Sequence, residues 1–140
     1  MGNRELMLET AAQKINERAG KVVKKSSVIE TPAWGKTEQP DFLNQVLEVE
    51  TELLPHKLME TLLEIEKEMG RVRQEKWGPR LIDLDILLYE DCIFDIEGLK
   101  IPHPFLHERL FVLKPLCELA PDLMHPALDI TVKQMLEALE

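Results

Sequence analysis

The stretch Leu81-Ile82-Asp83-Leu84-Asp85-Ile86-Leu87-Leu88-Tyr89 decides how this chain is read. Its apolar residues recur with a period of two, which predicts a β-strand. On a strand, residues two apart share a face and lie about 6.6 Å apart along the chain. Asp83 and Asp85 therefore project side by side, while Ile82, Leu84, Ile86 and Leu88 take the opposite, buried face. Two acids set in so apolar a strand repel each other and lose hydration, and a divalent cation relieves both penalties. Ligands that are all oxygen select magnesium or manganese over zinc. A carboxylate pair that gathers cations touching phosphate oxygens is the usual arrangement for phosphoryl transfer. Taken alone, Asp-x-Asp is more often the pattern of an edge strand with its acids in water, since carboxylates are normally exposed.

The residues just upstream favour the first meaning. Between Gly70 and Arg80 the chain carries Arg71, Arg73, Lys76 and Arg80 against the single acid Glu75. Guanidinium groups offer paired, planar donors that match phosphate oxygens. Acids that gather a cation beside arginines that gather phosphate are the two halves of a nucleoside-triphosphate site. There is no Gly-x-x-x-x-Gly-Lys-[Ser/Thr] and no protein-kinase motif set, so the phosphates must be held by side chains from several loops.

Further out, Leu8, Ala11, Ala12, Ile15 and Ala19 recur at helical spacing, predicting a helix from Asn3, its N-cap, to a stop at Gly20. Lys21 to Glu30 reads as a strand. Residues 30–41, ETPAWGKTEQPD, form a loop long enough to carry function. FLNQVLEVET, residues 42–51, reads as another strand. Pro55 opens a second helix running through Met69, with Gly70 as its C-terminal stop. Ile93 and Phe94, then Leu99 and Ile101, flank a turn around Gly98, and helices are expected over 110–119 and 131–139. Interleaved strands and helices indicate an α+β domain with helices layered on a sheet.

Bulk properties narrow the function classes. At 140 residues, 44% hydrophobic and 31% charged, the chain suits one domain with one core. No apolar run approaches the roughly 20 residues of a membrane span, and no signal peptide is visible, so a cytoplasmic location is expected. A net charge of −9 argues against a nucleic-acid partner. Cys92 and Cys117 fit no metal spacing and are expected to be reduced. His103 and His107 lie four apart, but Pro102 and Pro104 break any helix there and no third nitrogen or sulfur ligand is evident.

RVRQEKWGPRLIDLDILLY (71–89), preceded by ETPAWGKTEQPDFLN (30–44) and followed by IPHPFLHERLFVLKPL (101–116), resembles the 6-hydroxymethyl-7,8-dihydropterin pyrophosphokinase family of folate biosynthesis. The likeness runs from about Gly2 to the C-terminus, with separate motifs in order. It implies one pterin pyrophosphokinase domain over residues 1–140, a ferredoxin-like sheet with helices packed on it, and ATP and two magnesium ions as co-reactants. By position, Asp83 and Asp85 would hold both metal ions and, with Arg71 and Arg80, act in catalysis. Arg71, Arg73, Arg80, His103 and Arg109 would surround the triphosphate, with Glu66 and Ile86 also at the ATP site. Trp77 would lie on a loop that closes over the site. The pterin would sit between Phe42 and Phe111, with Asn44 on its polar edge and Thr31, Pro32 and Trp34 nearby. The partners implied are these small molecules, with no nucleic acid and no membrane, in a monomer or weak homodimer.

One departure stands out. Members of that family begin with a strand reading roughly aromatic-Leu-Gly-Leu-Gly-Ser-Asn ahead of the Gly-Asn that here is Gly2-Asn3. Its absence implies a sheet short of one inner strand. It also motivates a second functional reading, a truncated nucleotide- and pterin-binding domain without turnover.

Overall fold

The computed structural model describes residues 3–31, 42–73 and 82–140. It is a mixed α+β structure. The elements run α1 (Asn3–Arg18), β1 (Lys21–Lys25), β2 (Ile29–Thr31), β3 (Phe42–Asn44), β4 (Leu47–Glu50), α2 (Pro55–Arg73), β5 (Phe94–Ile96), β6 (Leu99–Ile101), α3 (Leu110–Leu119) and α4 (Val132–Leu139), with a short 3-10 turn at Leu106–Glu108. Among the described residues the strands pair as three two-stranded antiparallel sheets, β1–β4, β2–β3 and β5–β6. No described helix is long and apolar enough to cross a membrane.

The long strands expected over Lys21–Glu30 and over 42–51 each break in two, at facing positions. The cause is Ser26, a buried hydroxyl. Its N–H donates to the Val46 carbonyl at 2.9 Å, and its Oγ accepts from the Val46 N–H at 2.9 Å. Gln45 Nε2 donates to the Ser26 carbonyl at 2.9 Å. Side-chain bonds thus replace ladder bonds for one residue, as at a bulge. Ser27 then donates from its N–H and Oγ to the Glu118 carboxylate at 2.9 and 2.5 Å, tying the ribbon to α3.

The second helix also departs from expectation. It passes through Gly70 and ends at Arg73. An interior glycine costs a helix only about 1 kcal/mol relative to alanine, and Met69 remains buried on the core side. Arg71 and Arg73 therefore lie on the last helical turn instead of beyond it.

Two clusters make the core. The first gathers Ala11, Ile15 and Ala19 of α1, Leu58, Leu62, Ile65 and Met69 of α2, and Ile86, Leu99 and Ile101. The second joins Val46 and Leu106 to Leu113 and Leu116 of α3 and Val132 and Met135 of α4. Arg18 spans from α1 to Glu64 at 2.8 Å and also contacts Glu68, which Lys14 meets at 3.1 Å. Hydrogen bonds from Lys14 and Arg18 lower the Glu68 pKa. Exposed pairs of this kind orient the helices more than they stabilise them. Thr131 and Gln134 form a reciprocal capping box at the start of α4, contributing about 1 kcal/mol.

Residues 82–89 keep the expected alternation only in part. Ile82, Leu84 and Ile86 turn inward to the first cluster, and Asp83 and Asp85 outward. Leu87 and Leu88 both pack against the second cluster, so the period of two ends there. The stretch belongs to no ladder among the described strands. Its backbone is held instead by a side chain and a loop: Leu84 N–H donates to Glu66 Oε2 at 2.5 Å, and His103 N–H to the Leu87 carbonyl at 2.9 Å.

His125 is buried and organises the turn ahead of α4. Its Nδ1 accepts from the N–H groups of Ala127 and Leu128 at 3.1 and 3.0 Å. Burial first, then repulsion from His107, lowers its pKa below the ordinary 6.5. The unfolded chain then binds this proton more readily, so stability rises with pH. The contribution is intact above about pH 6.5 and is lost as pH falls through the folded value. The melting temperature of wild type is expected to fall between about pH 7 and 5, and to fall less in His125→Asn. Parallel pH profiles for the two proteins would remove His125 from the acid response.

Candidate active site

Asp83 and Asp85 are both exposed on one side of the 82–86 stretch, because the intervening apolar residues are drawn into the helix-backed core. Asp85 lines a cleft of about 190 Å³ together with Ile86, Gly98, Lys100 and His103. The β5–β6 hairpin forms the far wall. Gly98 turns it with a φ of +83°, a left-handed conformation that suits glycine. Leu99 and Ile101 are buried, so Lys100 between them faces out, and it meets Asp95 across the hairpin at 2.7 Å.

The chain after β6 returns to Leu87 and so brings His103 beside Asp85. The ring's Nδ1 accepts from the Phe105 N–H at 3.2 Å, which assigns the proton of the neutral ring to Nε2. Burial lowers the His103 pKa. The positive charge of Arg109 lowers it further, and the negative charge of Asp85 opposes them. Arg109 and Asp85 thus both act on His103 from opposite directions in sequence. A neutral imidazole N–H and a carboxylate on one cleft, with a guanidinium near the imidazole, form a set that recognises phosphate oxygens and their counter-cation.

A second group lies on the β2–β3 hairpin. Thr31 opposes Phe42 and Ile29 opposes Asn44, so Thr31 and Asn44 are diagonal neighbours on one face. Asn44 Nδ2 donates to Thr31 Oγ1 at 3.2 Å, fixing the amide. The helix α3 packs alongside β2 and carries Phe111 near its N-terminus, a residue 43% exposed and so free to meet a ligand.

Of the remaining candidates, Ile86 is a core residue that also touches the cleft. Glu66 projects from α2 to the Leu84 backbone. Pro32, Trp34, Trp77 and Arg80 lie outside the described residues, as do the side chains of Phe42, Arg71 and Arg73. Sequence reasoning missed Lys100. The signal was present in Leu99-Lys100-Ile101, whose alternation sets the lysine opposite the two buried residues, but nothing local said which cleft it would border.

No cluster of three or more His, Cys, Asp or Glu side chains that could hold a metal occurs among the described residues. Magnesium is commonly held by one or two carboxylates plus substrate phosphates. Two exposed carboxylates that depend on phosphate to complete the shell therefore fit a cation that arrives with its nucleotide.

Comparison with known proteins follows the same line. Residues 1–121 match the family model described as 7,8-dihydro-6-hydroxymethylpterin-pyrophosphokinase. The chain is 46% identical over 125 residues to a 2-amino-4-hydroxy-6-hydroxymethyldihydropteridine pyrophosphokinase of Methylorubrum extorquens, covering 89% of this chain and 79% of that protein. It is 44% identical over 126 residues to the protein of the same name from Aquifex aeolicus, covering 90% and 78%. It is also 41% identical over 140 residues to the folic acid synthesis protein fol1 of Schizosaccharomyces pombe, covering 99% of this chain and 19% of that longer protein.

Proposed function

The chain belongs to the 7,8-dihydro-6-hydroxymethylpterin-pyrophosphokinase family, and from this premise we propose that the face bearing Asp83, Asp85, His103 and Arg109 is where it transfers pyrophosphate from ATP to the pterin. The chain is an ATP-dependent pyrophosphokinase, a transferase of folate biosynthesis. The observation that carries the placement is that Asp85 and His103 line one cleft, with Arg109 near enough to His103 for its charge to lower the imidazole pKa.

In the proposed reaction the pterin hydroxyl oxygen forms a bond to the β-phosphorus of ATP as the bond from that phosphorus to the α-phosphate oxygen breaks, releasing AMP. Asp83 and Asp85 hold two magnesium ions, which supply charge neutralisation to the phosphates when bound. Arg71, Arg73, Arg80 and Arg109 grip the triphosphate, with His103 donating from Nε2. Lys100 adds positive charge to the far wall, while Ile86 and Trp77 exclude water around the nucleotide. Glu66 lies on α2 behind the site, at the Leu84 backbone. Phe42 and Phe111 sandwich the flat pterin, with Asn44, Thr31, Pro32 and Trp34 around its polar edge. Alignment and charge stabilisation do most of the work, as phosphoryl transfer requires, and no side chain is assigned as general base.

The proposal extends to a single domain over residues 1–140 with a ferredoxin-like sheet and helices packed on it. The match to about a fifth of a longer fungal protein supports a unit of this size. It also extends to a cytoplasmic monomer or weak homodimer that binds no nucleic acid, in keeping with the net charge of −9.

Purified protein given magnesium, ATP and the reduced hydroxymethyl pterin is expected to release one AMP for each pterin pyrophosphate formed. Release of ADP would contradict pyrophosphoryl transfer. Binding of both substrates without AMP would favour the truncated, non-catalytic domain.

A further inference from the structure

The backbone that carries the two aspartates is held in an unusual way. A strand residue normally owes its position to the strand beside it, yet residues 82–89 join no ladder among the described strands. Leu84 separates Asp83 from Asp85, and its side chain packs into the first core cluster. Its N–H is bonded to Glu66 Oε2 at 2.5 Å. Three residues on, the Leu87 carbonyl accepts from His103 N–H at 2.9 Å. These two bonds bracket Asp85.

Glu66 is well placed to act as a fixed point. It follows the fully buried Ile65 on α2, and Leu62 and Met69 root the same helix in the core. An error of about 1 Å in a group bearing on the reaction can cost about a hundredfold in rate. We propose that Glu66 is a positioning residue: through the Leu84 N–H it sets the height and spacing of Asp83 and Asp85, instead of contacting the nucleotide itself. This rests on the reading of those aspartates as the cation ligands.

Reach and charge can be separated. Glu66→Gln keeps an acceptor oxygen at the same distance and removes the charge. Glu66→Asp keeps the charge and withdraws it by one methylene. Glu64→Gln, on the same helix but paired with Arg18, is the control. The readouts are Mn²⁺ binding in the presence of ATP, measured by paramagnetic resonance, the Mg²⁺ concentration that half-saturates AMP release, and the exchange rate of the Leu84 amide.

Positioning predicts that Glu66→Gln stays within about threefold of wild type in all three. In Glu66→Asp the Mn²⁺ affinity falls about tenfold, half-saturation by Mg²⁺ rises to match, and the Leu84 amide exchanges faster, with KM for the pterin unchanged. The inverse pattern, a damaged Gln variant and a normal Asp variant, would mean that the charge acts directly on cation or nucleotide and would overturn the proposal. Equal loss in both variants, or loss in neither, would overturn it as well. Mn²⁺ binding and amide exchange need no turnover. A wild-type protein that makes no AMP would therefore defeat the proposed reaction while leaving the positioning test readable.

Discussion

Replacing Asp85 by Ala is expected to lower AMP formation by about a thousandfold or more while moving the melting temperature by no more than about 2 °C. Asp85 is exposed, and surface substitutions of this kind usually change stability by less than about 0.5 kcal/mol. Its proposed task is at the phosphates, where removing even one stabilising group commonly costs about 10² to 10³ in rate. Asp83→Ala is expected to behave the same way. The double variant should be little worse than either single one, because two ligands of one cation pair act as a unit. A quenched assay for AMP and a thermal melt on the same preparations give both quantities. Near-normal turnover in both single variants would end the assignment of this face as the active site.

The opposite profile is expected at Ile65. That side chain is completely buried in the first cluster, which also holds residues of α1 and of the stretch that carries the aspartates. Truncation to Ala removes three carbons and leaves a cavity, a change that costs about 2 to 5 kcal/mol. For a chain of this size that corresponds to a fall of about 10 °C in melting temperature. Well below the new midpoint the protein is folded, and AMP formation should stay within a few-fold of wild type. A fall of less than about 3 °C would show that the helix–strand interface closes over the gap. The pair of results would separate chemistry from scaffold at two positions, one exposed on the 82–86 stretch and one buried on α2.

Much of the local structure was legible because it depends on neighbours in sequence. The periodicity of Leu8, Ala11 and Ile15, the helix over 131–139, and the turn at Gly98 were readable in this way. The errors came where tertiary contacts override a local signal. Gly70 is a common stop, but the buried Met69 and the absence of any breaker after it carry α2 on to Arg73. The expected strands over 21–30 and 42–51 break because a single buried hydroxyl, Ser26, takes the place of a ladder partner. The alternation in 82–89 gave the right faces for Asp83 and Asp85 but lapsed at Leu87 and Leu88, where the second core cluster begins to compete.

The sequence by itself determined the chemistry on offer: two acids at a spacing of two, a basic island before them, and motifs that together identify the family. Those are matters of residue type and short spacing, which a linear chain states outright. Only the tertiary structure decided that Lys100 and His103 line one cleft with Asp85, that Asn44 is held by Thr31, and that Glu66 reaches Leu84. Such contacts close loops of about ten to twenty residues. Which loops close depends on how helices and strands share one core, and no local period encodes that.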